Sequence, residues 1–221
     1  MLHKNSASPE LLEIAQVLSN IPELDSFRIV GGTALALLIG HRKSIDIDFF
    51  SNIKVDKRNV IDILKEAFPE SVFYRTQHNI RTAIKGVRVE LYDDWHTPFR
   101  YDPEVHDGLR LASLHDIAAF KLDAIIERRE KKDYIDLYFL FNHLGAKNVL
   151  NEFKEYNPHL SIKSILFALG EVNVAEENKS VMPEMLAALS WKEVKKTMLD
   201  AAKTFIAMQQ KNKTNDTLKR Q

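Results

Sequence analysis

The sequence predicts an α+β fold, a mixed sheet with helices over residues 1–100 followed by a helical part over 101–210. Three observations predict it. Short β-branched and aromatic runs alternate with amphipathic stretches in the first part. One of these runs alternates apolar and acidic residues with period two. Beyond residue 114, apolar residues recur at helical spacing instead.

Residues 9–20 read as a helix, with Pro9 in its first turn and Leu11, Leu12, Ala15 and Leu18 on one stripe. The run 27–30 is a short strand ended by Gly31 and Gly32, and 33–39 is a compact helix closed by Gly40. Residues 44–50, SIDIDFF, form a strand, and 55–68 an amphipathic helix stopped by Pro69. Strands follow at 72–76, 80–84 and 87–92, the last two joined by a tight Lys85-Gly86 turn. Tyr101-Asp102-Pro103 and Asp107-Gly108 are loop chemistry. Helices are expected at 114–130, 133–144, 147–156, 161–169 and 184–210, with a loop at 170–182 and a disordered tail at 211–221.

Composition narrows the function classes. The chain has 221 residues and no cysteine, which removes disulfides, thiolate nucleophiles and cysteine zinc sites and fits a reducing compartment. No apolar run reaches membrane-span length and no signal-peptide core follows the first residues, so a cytoplasmic location without a membrane partner is expected. Thirty-one basic and 31 acidic side chains balance, which leaves no global field to attract nucleic acid. The histidines show no helical metal-ligand spacing.

Strand periodicity gives 44–50 two faces: Ile45, Ile47 and Phe49 on one, Asp46 and Asp48 on the other. Two carboxylates side by side repel each other unless a divalent cation lies between them. Magnesium takes oxygen ligands of this kind, commonly one or two carboxylates with waters and phosphates. A solvent-facing edge strand is the competing reading. Gly31-Gly32-Thr33 follows a strand and opens a helix, so its backbone N–H groups and the helix dipole suit a phosphate. The short helix between this turn and Asp46 makes the two neighbours in one sheet.

Glu90 lies opposite the apolar face of 87–92. It either joins Asp46 and Asp48 as a third carboxylate or shares a solvated face with Arg88. Arg42 contacts phosphates or clamps its loop.

The stretch 31–50, GGTALALLIGHRKSIDIDFF, resembles the signature of the DNA polymerase β-like nucleotidyltransferase superfamily. Its fuller form is similar to the AbiEii/AbiGii-type toxin branch. Phe120-Lys121-Leu122-Asp123-Ala124, then Arg128, then Lys132-Asp133-Tyr134-Ile135-Asp136-Leu137 resemble that branch's downstream motifs. The resemblance covers roughly residues 28–140.

Lys121 and Arg128, seven apart on one helix face, could reach triphosphate oxygens. Asp133 and Asp136 start the next helix, Asp133 as a site residue and Asp136 as a structural partner for a cation. The resemblance implies a nucleotidyltransferase that uses magnesium or manganese and a nucleoside triphosphate. Asp46, Asp48 and Glu90 would be its metal and catalytic residues. Gly31, Gly32, Thr33, Arg42, Lys121, Arg128 and Asp133 would contact the nucleotide, with Lys121 also catalytic. It further implies a toxin that modifies an RNA such as tRNA, with a cognate antitoxin, in toxin–antitoxin or phage defence. The alternatives are a binding module without turnover, or a transferase acting on a protein or small-molecule hydroxyl.

Overall fold

The computed structural model describes residues 1–177 and 181–218, with side chains through residue 210. The chain divides into two compact units, Met1–Ile117 with Pro183–Ala187, and Ala118–Met182 with Ala188–Gln221.

In the first unit, α1 (Pro9–Ser19) starts at Ser8, whose hydroxyl accepts from the Leu11 amide at 3.2 Å. Then come β1 (Arg28–Ile29), α2 (Gly31–Ile39), β2 (Asp46–Phe50) and α3 (Lys57–Ala67). Next are β3 (Tyr74–Arg75), β4 (Asn79–Ile84) and β5 (Val87–Tyr92), then β6 (Glu104–His106) and β7 (Leu109–Leu111). All seven strands form one sheet in the order β3-β4-β5-β2-β1-β7-β6. It is mixed: β2 runs parallel to β5 and antiparallel to β1, while β1 is parallel to β7. The expected α+β class is borne out.

The core of this unit is made by the apolar face of the central strands (Ile29, Ile47, Phe49, Val89, Leu91) against α1 and α2, with Leu11, Ile14, Leu35 and Leu37 fully buried. Ile45 departs from the expected alternation. It precedes β2 and is 81% exposed, so the buried face of that strand starts at Ile47.

The expected 100/101 division is not where the units part. β6 and β7, which flank the Asp107-Gly108 loop chemistry and have no element expected from sequence, extend the sheet because Leu111 pairs with Ile29 of β1. Asp107 and Gly108 form the hairpin turn between them with φ of 51° and 79°, both left-handed, as Lys85 and Gly86 do between β4 and β5.

The second unit takes most of α4 (Leu114–Glu127), then α5 (Lys131–Leu140), α6 (Ala146–Tyr156), α7 (Ile162–Gly170), α8 (Val172–Glu177) and α9 (Trp191–Leu218). A π-helical turn, Phe141–Gly145, links α5 to α6. α9 packs against α5, α6 and α7, and Phe153, Leu169, Val194, Met198 and Phe205 are fully buried. α8 lies within the expected loop 170–182, of which 178–180 fall outside the described residues. α9 starts at Trp191 rather than 184 and its backbone continues to Leu218; the last three residues of the expected disordered tail fall outside the described residues. Among the described residues, no helix is long and apolar enough to cross a membrane.

Asp123 of α4 carries a testable consequence. Burial pushes its carboxyl up to about 6, against a weak hydrogen bond from Asn157 Nδ2 at 3.4 Å. A folded-state value above the unfolded one means that stability is full below about pH 4 and falls as pH rises through 6. Asp123→Asn should therefore stabilise the protein by roughly 1–2 kcal/mol at pH 8 and change little at pH 4. Chemical denaturation at the two pH values checks this.

Candidate active site

The sheet register assembles the acidic face. Asp46 lies opposite Arg88, Asp48 opposite Glu90 and Phe50 opposite Tyr92 on the parallel pair β2–β5. Strands so paired stand about 4.8 Å apart with in-register side chains on one face. Asp46, Asp48, Arg88 and Glu90 thus share a face, opposite the one buried through Ile47, Phe49, Val89 and Leu91. β2 is a central strand rather than an edge, which removes the edge-strand reading.

Arg88 donates from Nη2 to Asp46 Oδ2, and its Nε lies 4.0 Å from Glu90 Oε1. Burial pulls the guanidinium pKa down, but Asp46, Asp48 and Glu90 outweigh it and hold it above its ordinary value. Glu90, only 14% exposed at its side chain, accepts from Asn79 Nδ2 at 3.0 Å and from the Tyr92 hydroxyl at 2.6 Å, with Arg81 Nε 3.6 Å away. Burial and that carboxylate hold the Tyr92 hydroxyl above the usual phenol range.

The glycine turn meets this face. Gly31 has φ of +66°, a left-handed conformation that suits glycine, and a Cβ built on it would lie 3.3 Å from Asp48 Oδ2. The helix N-terminus therefore abuts the second aspartate. No side chain caps α2 at Val30, and the first helical bond is made by the Ala34 amide to Val30 O at 3.3 Å. The amides of the first turn are the groups a phosphate can engage. The Thr33 hydroxyl is buried against Ser44 Oγ at 2.7 Å and the Asp46 carbonyl, so it ties α2 to β2. Arg42, buried, lies where a side chain on Gly32 would stand, and its Nη1 donates to the Lys43 carbonyl at 2.9 Å.

Gly31→Ala should cost about 1–2 kcal/mol through the left-handed backbone alone. The added methyl would also crowd Asp48. A thermal melt of the variant, with triphosphate binding measured alongside, checks this.

Oxygen donors of the Asp46 and Asp48 type match magnesium. Among the described residues no three His, Asp or Glu side chains converge closely enough to hold a metal ion by themselves. A magnesium ion completes its shell with waters and substrate phosphates, so two carboxylates fit it. An open cleft of about 520 Å³ lies elsewhere on this unit, lined by Val55, Asp56, Lys57, Arg75, Thr76 and Gln77, and none of the three carboxylates lines it.

Lys121, Arg128, Asp133 and Asp136 come together within the second unit. Lys121 Nζ lies 2.9 Å from Asp133 Oδ1 and 2.6 Å from Asp136 Oδ2, and Arg128 Nε lies 2.8 Å from Asp133 Oδ2. Both aspartate side chains are fully buried and Lys121 is 6% exposed, while Arg128 is half-exposed. Two cations and two anions balance and join the end of α4 to the start of α5. Burial works against the charged form of Asp133, yet Lys121 and Arg128 hold its pKa below the usual carboxylate range.

Of these residues, Arg88 reads in the sequence only as a neighbour of Glu90, Ser44 only as part of the 31–50 signature, and Asn79 and Tyr92 carry no site reading there. Period two along 87–92 places Arg88, Glu90 and Tyr92 together, and that was the available signal.

The family model of the nucleotidyl transferase AbiEii toxin, of the type IV toxin–antitoxin system, matches residues 14–102 and 87–211. The chain belongs to the AbiEii nucleotidyltransferase toxin family. It is an enzyme of the nucleotidyltransferase class. A relative in sequence, the uncharacterized protein aq_aa25 of Aquifex aeolicus, is 27% identical over 153 residues, 65% of this chain and 74% of the relative. The fold is similar to that of JHP933 from Helicobacter pylori, with TM-score 0.54 and 18% identity over 98% of this chain and 100% of that one. It is also similar to ANT(2″)-Ia, solved in complex with adenylyl-2″-tobramycin, with TM-score 0.54 and 16% identity over 70% of this chain and 100% of that one.

Proposed function

We propose that this AbiEii-family chain transfers a nucleoside monophosphate from a nucleoside triphosphate to an RNA hydroxyl, such as one on a tRNA, in a magnesium-dependent reaction. The observation that carries the reading is the close approach of the Asp48 carboxylate to Gly31, where a Cβ would stand 3.3 Å from Oδ2. It supports a site in which the α2 N-terminus would receive an anion beside two carboxylates that would hold metal, the pairing that nucleotidyl transfer needs.

In the proposed reaction the acceptor oxygen attacks the α-phosphorus and the bond to the β-phosphate oxygen breaks. Pyrophosphate leaves, and the acceptor proton passes to Glu90. The amides of Gly31, Gly32 and Thr33 receive the triphosphate, and Arg42 braces that turn from behind Gly32. Asp46 and Asp48 would hold magnesium (manganese would serve equally), and the metal would supply charge neutralisation at the phosphates. Asn79 and Tyr92 orient the Glu90 carboxylate.

Lys121, Arg128 and Asp133 enter the proposal as matches to the family's downstream motif; in the structure they form the ion network of the second unit. The family's description as a type IV toxin supports a cognate antitoxin in the wider setting; the cytoplasmic location and a role in phage defence are part of the proposal and rest on the sequence.

The test is incubation with each α-labelled nucleoside triphosphate, magnesium and total bacterial RNA, followed by nuclease or protease digestion. Label released by ribonuclease alone supports the RNA acceptor. Label released by protease, or carried by a small molecule, replaces it with the corresponding hydroxyl.

A further inference from the structure

The acidic face already contains a cation. Arg88 stands directly opposite Asp46 in the β2–β5 register and donates to its carboxylate, with Glu90 Oε1 4.0 Å from its Nε. Asp48 is the third carboxylate of the face. The other arginine nearby, Arg81 from β4, lies against Glu90 at 3.6 Å. Arg88 is 58% exposed at its side chain and Asp46 is 25% exposed. The pair is therefore screened, and the guanidinium has open solvent to move into.

A divalent ion and this guanidinium compete for the same Asp46 oxygen, because a carboxylate oxygen turned to Arg88 is turned away from a metal. We infer that Arg88 is the resident counter-cation of the carboxylate face and sets its affinity for divalent metal, an inference that rests on Asp46 and Asp48 being the metal ligands. Without metal, Arg88 offsets the repulsion among Asp46, Asp48 and Glu90 and keeps the face folded. When metal binds, the guanidinium gives up Asp46 and the ion takes over its neutralising role. The arginine thereby lowers the affinity for free metal while stabilising the metal-free protein.

Removing the charge should then have two opposite effects. Arg88→Gln should bind Mn²⁺ about two- to fivefold more tightly than the wild type, the size expected for loss of a half-exposed competing ion pair. The same variant should melt at a lower temperature without metal and regain the wild-type value when Mn²⁺ is added. Arg88→Lys, which keeps the charge but loses the two-pronged geometry, should fall between. It serves as the second variant should Arg88→Gln fail to fold without metal.

The experiment is titration of the full chain with Mn²⁺ alone, followed by electron paramagnetic resonance of the free ion and by thermal melts, for wild type, Arg88→Gln, Arg88→Lys and Asp48→Asn. Tighter Mn²⁺ binding in Arg88→Gln, abolished in Asp48→Asn, is the expected result. Unchanged or weaker binding in Arg88→Gln, with binding still lost in Asp48→Asn, overturns the inference and leaves the metal reading standing. Equal binding in wild type and Asp48→Asn overturns the metal reading and the inference with it.

Discussion

Asp48→Ala is expected to lower nucleotidyl transfer by about 10³-fold or more while leaving the fold intact. Asp48 occupies the centre of the acidic face, opposite Glu90 in register, with its Oδ2 3.3 Å from where a Gly31 Cβ would stand. Its removal would take away a ligand for the metal at the point where the phosphate turn approaches. The fold should tolerate the change. The strand bond that uses this residue, from the Val30 amide at 2.9 Å, goes to the Asp48 carbonyl and survives in alanine. Loss of the carboxylate relieves repulsion from its acidic neighbours, and it removes a favourable charge at the α2 N-terminus of similar size. The net stability change should stay within about 1 kcal/mol. Transfer kinetics together with a thermal melt separate this outcome from simple unfolding.

Asp133→Ala should instead act on stability, by about 3–5 kcal/mol, because it breaks a buried ion network and leaves positive charge without its partner. Lys121 would keep Asp136 at 2.6 Å, while Arg128, half-exposed, could turn to water. A double variant, Lys121→Met with Asp136→Leu, should cost less than the sum of its singles, since an apolar pair of similar volume replaces the buried charges.

The pH dependence follows from the same group. The pKa of Asp133 is lowered in the folded state, so its stabilisation is present above the ordinary carboxylate value of about 4. It is lost as pH falls through the lower folded value. Wild-type protein should therefore lose stability on acidification below about pH 4, and Asp133→Ala should show a shallower loss there. Urea titrations across that range check both statements.

How much of this was legible in the sequence depended on whether the signal was local. The burial of Ile47 and Phe49 beside the part-exposed Asp46 and Asp48 follows from period two, and so does the shared face of Arg88 and Glu90. The left-handed Lys85-Gly86 turn is written in its two residues. What stayed hidden was pairing between distant segments. β6 and β7 are three residues each, too short to show a period, and become strands only because Leu111 finds Ile29. Asp107-Gly108 held the same turn signal as Lys85-Gly86, but without long flanking runs it read as a loop. α8 was masked by its polar composition, although Val172 and Ala175 are buried one turn apart.

For the site, spacing alone placed Glu90 and Arg88 together but could not say which carboxylate Arg88 would meet. That depended on the register of β2 against β5, which sets Asp46 opposite it. Likewise the spacing of Lys121, Arg128, Asp133 and Asp136 predicted helices in contact, whereas the complete burial of both aspartates is a property of the packed second unit.

The most direct measurement compares α-labelled with γ-labelled nucleoside triphosphate in the wild type and in an Asp46→Ala/Asp48→Ala double variant of matched melting temperature. Covalent transfer of the α-label alone, seen in the wild type and lost in the double variant, is the expected result. Undiminished α-label transfer by the double variant would contradict the assignment of catalysis to the β2 carboxylates. Transfer of the γ-label would contradict nucleotidyl transfer itself.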